Sequence, residues 1–181
     1  MRVKRDGGVL EPASGTFDVT VAPGEGVQAA VDRCPPGGCV LLLPGTHEGP
    51  LTLRQEVHVF GRGLATLQSA TRSVVVASAA AKATLDGLLI RREAGGINNL
   101  YRDGVWITGG RLRLQACDIT SAASGILVFI EGGADPVLAA CRCARGGAHV
   151  HVRAPYRGKG AGQFRPASST LAQASSPQAR L

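Results

Sequence analysis

Two short apolar motifs alternate along the middle of this 181-residue chain. The first is Ala83–Ile90, which aligns with Leu112–Ile119 and Pro136–Cys143 at offsets of 29 and then 24 residues. The second is Gly104–Thr108, which aligns with Gly125–Phe129 and Gly147–His151 at offsets of 21 and 22. Paired strand motifs returning at this interval predict stacked repeats, each burying its apolar side chains against the next. No segment between the motifs is long and periodic enough for a crossover helix, which argues against a βαβ unit.

Alignment gives each residue a face, because side chains two apart on a strand share one. In the first series Leu88, Cys117 and Cys141 share a position, as do Ile90, Ile119 and Cys143, and these columns are expected to point inward. Leu89, Asp118 and Arg142 are expected to point outward. Asp118 and Arg142 then read as an ion pair on a ladder. In the second series Val105, Ile126 and Ala148, then Ile107, Val128 and Val150, are the expected inward columns. Trp106, Leu127 and His149, then Thr108, Phe129 and His151, are the expected outward ones.

Ahead of the repeats, Phe17–Val21 alternates as a strand and Ala22–Gly26 turns the chain. Val27, Ala30 and Val31 fall at helical spacing, so Val27–Arg33 reads as a short helix ended by Pro35-Pro36-Gly37-Gly38. Cys39–Leu43 is an unbroken apolar run, the pattern of a strand buried on both faces. Leu51–Leu53 and Val57–Phe60 read as short strands, the latter ended by Gly61-Arg62-Gly63.

The segments FDVTVAPG (17–24), GVQAAVDRCPPGG (26–38), CVLLLPGTHEGPL (39–51) and VHVFGRG (57–63) together resemble the start of pectin-lyase-like domains. The resemblance implies an all-β, right-handed parallel β-helix over residues 17–153, with a strand and short capping helix over its N-terminal end. In that family the pattern of apolar strand, Pro-Gly, aromatic, any residue, Glu recurs; here His47 stands after Pro44-Gly45 where the aromatic is usual, and Glu48 follows it directly. The later repeats look most like the β-helix repeats of F-box-only proteins and related carbohydrate-binding and sugar-hydrolase repeats. No F-box precedes them, so an adaptor role in ubiquitin ligation is not carried over.

Charge is unevenly placed. No acidic residue follows Asp135, whereas Arg142, Arg145, Arg153, Arg157, Lys159, Arg165 and Arg180 do. Removing these seven from 20 basic residues leaves 13, which balance the 13 acidic ones, so the net charge of +7 belongs to the C-terminal end. Residues 154–181 are Gly, Ser, Ala, Gln and Pro with few large apolar groups and are expected to form a disordered basic tail; residues 1–16 read as a flexible leader. No aromatics accompany the basic residues at stacking intervals, so nucleic acid is not an expected partner. No stretch approaches the ~20 apolar residues of a membrane span. The N-terminus lacks an apolar secretory core, and five cysteines is an odd number, so free thiols and an intracellular, cytoplasmic setting are expected. A Cys34–Cys39 bridge is left open by spacing.

Relatives of this type that cleave acidic polysaccharides use paired carboxylates or clustered carboxylates for calcium. Asp86 and Asp118 are three positions out of step, so neither set assembles and no catalytic residue is assigned. Cys141, Cys143, His149 and His151 have the composition of a zinc set, but the thiols fall inward and the imidazoles outward, so no metal or other cofactor is expected. The outward set Trp106, Leu127, Phe129, His149 and His151 is the candidate binding surface, because aromatic rows on a parallel sheet stack sugar rings or anchor proteins. The long insertion Arg91–Asp103 adds polar reach beside it through Asn98, Asn99, Tyr101 and Arg102. The expected function is a non-catalytic module that binds a glycan or protein partner. A divergent polysaccharide lyase, hydrolase or pectin esterase is the alternative, as is a fragment of a longer protein whose uncapped C-terminal end would self-associate.

Overall fold

The computed structural model describes residues 16–70, 73–78, 82–93, 104–122, 127–144 and 150–152. The flexible leader and basic tail expected at the two ends lie outside the described residues, apart from Thr16. Among the described residues the chain is mostly strand, with one helix, and every strand pairing is parallel. No helix among them is long and apolar enough to cross a membrane.

Strand β1 (Val19–Val21) and helix α1 (Val27–Arg33) come first. Then β2 (Gly38–Leu42), β3 (Gly45–Glu48) and β4 (Leu51–Leu53) follow in quick succession. The same triplet recurs four more times. In the second, β5 (Val57–Ser69) bends midway to supply two members before β6 (Val75–Ala77). In the third, β7 (Thr84–Arg92) does the same before β8 (Val105–Ile107). The fourth is β9 (Arg113–Gln115), β10 (Asp118–Ser121) and β11 (Val128–Ile130). The fifth is β12 (Val137–Ala139), β13 (Arg142–Ala144) and β14 (Val150–Val152). Each strand pairs with its counterpart one repeat on, which makes a nine-stranded sheet bent along β5 and β7 and a five-stranded sheet of β4, β6, β8, β11 and β14.

The first series of motifs lies in the expected register: Asp118 pairs with Leu89 on one side and Arg142 on the other, and Ile119 with Ile90 and Cys143. Ladder hydrogen bonds consume the backbone polar groups while stacked aliphatics exclude water. Val40, Val59, Leu85 and Leu114 form one such column, continued by half-buried Leu138, and Leu67, Ile90 and Ile119 another. Fully burying one such side chain is worth ~1.5–3 kcal/mol, so the columns outweigh any single surface contact.

The bend inside each repeat has a fixed chemistry. Gly87, Ala116 and Ala140 all hold positive φ, at 62°, 49° and 52°, between the two halves of their repeats. The second repeat carries the longer Gly61–Leu64 segment at this place, and its register shifts between Phe60 and Ala65. The strand therefore does not end at Gly61–Gly63 as expected; it bulges there and resumes pairing through Ser69. Two further strands escaped the sequence reading, β3 and β6.

The N-terminal end is covered by α1 and β1. Val27, Ala30 and Val31 bury one helical face as their spacing predicts. Gln28 acts as a strand substitute along β4: its Nε2 donates to Thr52 O at 3.0 Å and its Oε1 accepts from Thr52 N at 2.6 Å. Gln55 Nε2 donates to Val31 O and Cys34 O and ties the helix end to the first repeat. Phe17 packs edge-on against Phe60 at 5.5 Å between centroids, and the Arg62 guanidinium lies over the Phe17 ring, 5.2 Å from its centroid. His47 is fully buried, and its Nε2 lies 2.8 Å from Leu43 O. Arg91 and Arg92 extend β7 instead of opening a loop, and Arg92 is buried with Nη1 donating to Ser69 O and Glu93 O.

Candidate ligand-binding face

The five-stranded sheet carries the candidate surface. Its strands are short and rich in Val and Ile, which suit a pleated, half-buried backbone. Val75, Val105 and Val128 are buried in register, as are Ala77, Ile107 and Ile130. Between these two inward columns runs a single half-buried one: Thr52, Val76, Trp106 and Phe129, with His151 in register beside Phe129 by its backbone. Neighbouring strands lie ~4.8 Å apart, so indole and phenyl are direct lateral neighbours.

Trp106 is oriented from its edge. Its Nε1 donates to Glu131 Oε1 at 2.9 Å, and Glu131 directly follows β11, the strand bearing Phe129. This bond at the ring edge fixes the indole's rotation. One repeat back, Thr108 Oγ1 donates to Ala77 O at 3.1 Å and steadies the end of β8.

The structure corrects the expected register here. Trp106 pairs with Phe129, not with Leu127, so the first offset of the second series is 23 residues and not 21. The following offset of 22 stands, since Val128 pairs with Val150. Leu127 was expected outward and is fully buried. It precedes β11, at the corner where the chain enters the sheet, and strict alternation does not hold there. Val74 and Gly104 occupy the equivalent corners: Val74 N donates to Gly104 O, and Val105 N to Leu127 O. A Cβ on Gly104 would meet Leu127 O at 2.9 Å and Ile119 Cγ2 at 3.1 Å, so the corner is closed on the inside.

Of the other expected site residues, His149, Tyr101, Arg102, Asn98 and Asn99 lie outside the described residues, and His151 is described by its backbone alone. Thr52, Val76 and Glu131 join the face without having been picked out. The signal for Val76 was its place one repeat before Trp106, in the run Val74-Val75-Val76-Ala77; nothing local marked Glu131.

Outside this sheet, Arg142 donates to Asp118 through Nε at 3.0 Å and through Nη2, which holds the guanidinium above its ordinary pKa. Arg111 and Asp135 pair likewise across one repeat at 3.0 Å. In none of the register columns of the described residues do two carboxylates occupy neighbouring strands: Asp86 stands between Phe60 and Gln115, Asp118 between Leu89 and Arg142. Among the described residues no group of three or more His, Cys, Asp or Glu could hold a metal ion. No disulfide joins any of the five cysteines, Cys34 and Cys39 included. Burial, then Asp18 and Cys39, pushes the Cys34 thiol up. No family model, curated protein or solved structure matches this chain.

Proposed function

We propose that this chain is a right-handed parallel β-helix of the pectin-lyase-like kind acting as a non-catalytic binding module, with a glycan as ligand on the face bearing Trp106 and Phe129. The observation that carries the reading is the lateral pairing of these two aromatics on adjoining strands, with the indole tethered by Glu131. Two aromatic side chains on adjoining strands offer a saccharide apolar C–H stacking, and little ordering entropy is lost because the sheet fixes their backbone beforehand. Thr52 and Val76 on one side, and His151 on the other, extend the row along the stacking direction. A linear chain laid across successive strands matches such a row.

Support for the helical winding comes from counterpart strands pairing parallel, repeat after repeat, together with the near-universal right-handedness of parallel strand connections. Support for binding over cleavage comes from the columns themselves, where Asp118 is engaged by Arg142 and Asp86 has no acidic neighbour across the ladder.

The test is a glycan array probed with the full chain and with Trp106→Ala and Phe129→Ala, each checked for a retained far-UV spectrum. Wild-type signal lost by at least tenfold in both folded variants supports the reading. Binding that survives both substitutions sinks the assignment of this face. An array blank for the wild type, with a protein captured through the same two residues, transfers the face to a protein partner.

A further inference from the structure

Cys117 and Cys141 immediately precede the paired residues Asp118 and Arg142, so they are neighbours across adjoining strands of the fourth and fifth repeats. Each follows an alanine at positive φ, Ala116 or Ala140, and this bend turns both thiols toward the interior. Their side chains are direct neighbours in that column. Cys117 is 1% exposed, with Sγ 3.5 Å from Leu85 O and 3.3 Å from Gln115 O. Cys141, whose Sγ lies 3.4 Å from both Leu114 O and Ala139 O, is only half-buried, because its repeat is the last of the described stack. Adjacent-strand spacing of ~4.8 Å falls within the Cα separations that a disulfide spans. The other neighbour of Cys117 in this column is Leu88, and Cys143 lies beside Ile119, so Cys141 and Cys117 are the only thiols described in register with each other.

We propose that Cys141 and Cys117 form an oxidation site for a peroxide-class oxidant, with Cys141 as the attacking thiol and Cys117 as the resolving one. The Cys141 thiolate places its electron pair on the outer peroxide oxygen and the O–O bond breaks. The leaving oxygen departs protonated as water or an alcohol, and Cys141 becomes a sulfenic acid. The Cys117 sulfur then attacks the Cys141 sulfur; the S–O bond breaks and the hydroxyl leaves as water with the Cys117 proton. Two thiols have lost two electrons to the peroxide, and the product is a disulfide joining the fourth repeat to the fifth.

The surroundings favour this order of events. Interaction with the neighbouring Cys117 side chain holds the Cys141 thiol down at about 7, whereas interaction with Cys141 and burial push Cys117 up. Burial pushes Cys143 up to about 11, so it stays protonated at neutral pH. Once Cys141 is oxidised its thiolate is gone, and with it the neighbouring charge that held the Cys117 proton.

Treatment of the full chain with hydrogen peroxide at neutral pH, followed by alkylation and peptide mapping by mass spectrometry, tests the site. The expected first product links Cys117 to Cys141 with loss of two hydrogens. Alkylation of Cys141 should be half-maximal near pH 7 and, at that pH, roughly tenfold faster than an ordinary thiol of pKa ~8.5. Cys117→Ser should leave a sulfenic or sulfinic acid trapped on Cys141, and Cys141→Ser should leave Cys117 intact. A first product linking Cys34 to Cys39 or Cys141 to Cys143, or a Cys141 that reacts no faster than Cys143, overturns the proposal. The mapping of the unsubstituted chain decides this whether or not the variants fold.

Discussion

Single residues at the inner bend set how closely the repeats stack. Gly87, Ala116 and Ala140 share a left-handed conformation, which costs an alanine ~1 kcal/mol that glycine does not incur. Glycine stands at 87 because the longer Gly61–Leu64 segment crowds it: a Cβ there would lie 3.0 Å from the backbone nitrogens of Arg62 and Gly63. Gly87→Ala should therefore destabilise by ~1–2 kcal/mol, combining strain with crowding. Ala140→Gly, where the penalty is already present, should stabilise by ~0.5–1 kcal/mol. Urea unfolding midpoints of the two variants check the opposite signs. At this scale, too, Glu131 matters more than its position outside the strand suggests, since it sets the angle of the only tryptophan in the chain.

Among the elements, α1 has a role that its seven residues could not sustain alone, since a helix this short is not stable in water by itself. It holds because Val27, Ala30 and Val31 cover the first repeat and because Gln28 satisfies both backbone groups of Thr52 on the edge strand. An exposed strand edge is a template for unwanted pairing. Gln28→Ala should cost ~1 kcal/mol for the lost hydrogen bonds and should expose β4, which is read as a greater tendency to aggregate at the onset of thermal unfolding in light scattering. Unchanged melting and scattering would show that the helix covers the edge without this side chain.

For the molecule as a whole, contacts run mainly between neighbouring repeats, so stability is a sum of repeat and interface contributions. The middle repeats have a neighbour on both sides. In the fifth, Leu138, Cys141 and Cys143 are only half-buried. Native-state hydrogen exchange should accordingly be slowest in β5 and β7 and fastest in β12 and β13, with a protection difference of at least tenfold. Uniform protection through all five repeats would mean that the stack opens only as one unit. Peroxide treatment that joins Cys117 to Cys141 should narrow the difference, because the fifth repeat is then tied to the fourth.

The sequence determined the repeating period, the inward position of the thiols, the Asp118–Arg142 ladder and the helix at Val27–Arg33. All of these follow from side-chain alternation and from local spacing. It did not determine the 23-residue step from Val105 to Val128, because glycine-led motifs of similar polarity align equally well two residues apart and a shift of two preserves the alternation. It also left hidden the burial of Leu127, the continuation of β5 past Gly63 and the tether on Trp106. These depend on how the corner residues turn and on which backbone lies alongside. A chain read one residue at a time has no access to that, since each corner is shaped by the repeat stacked against it.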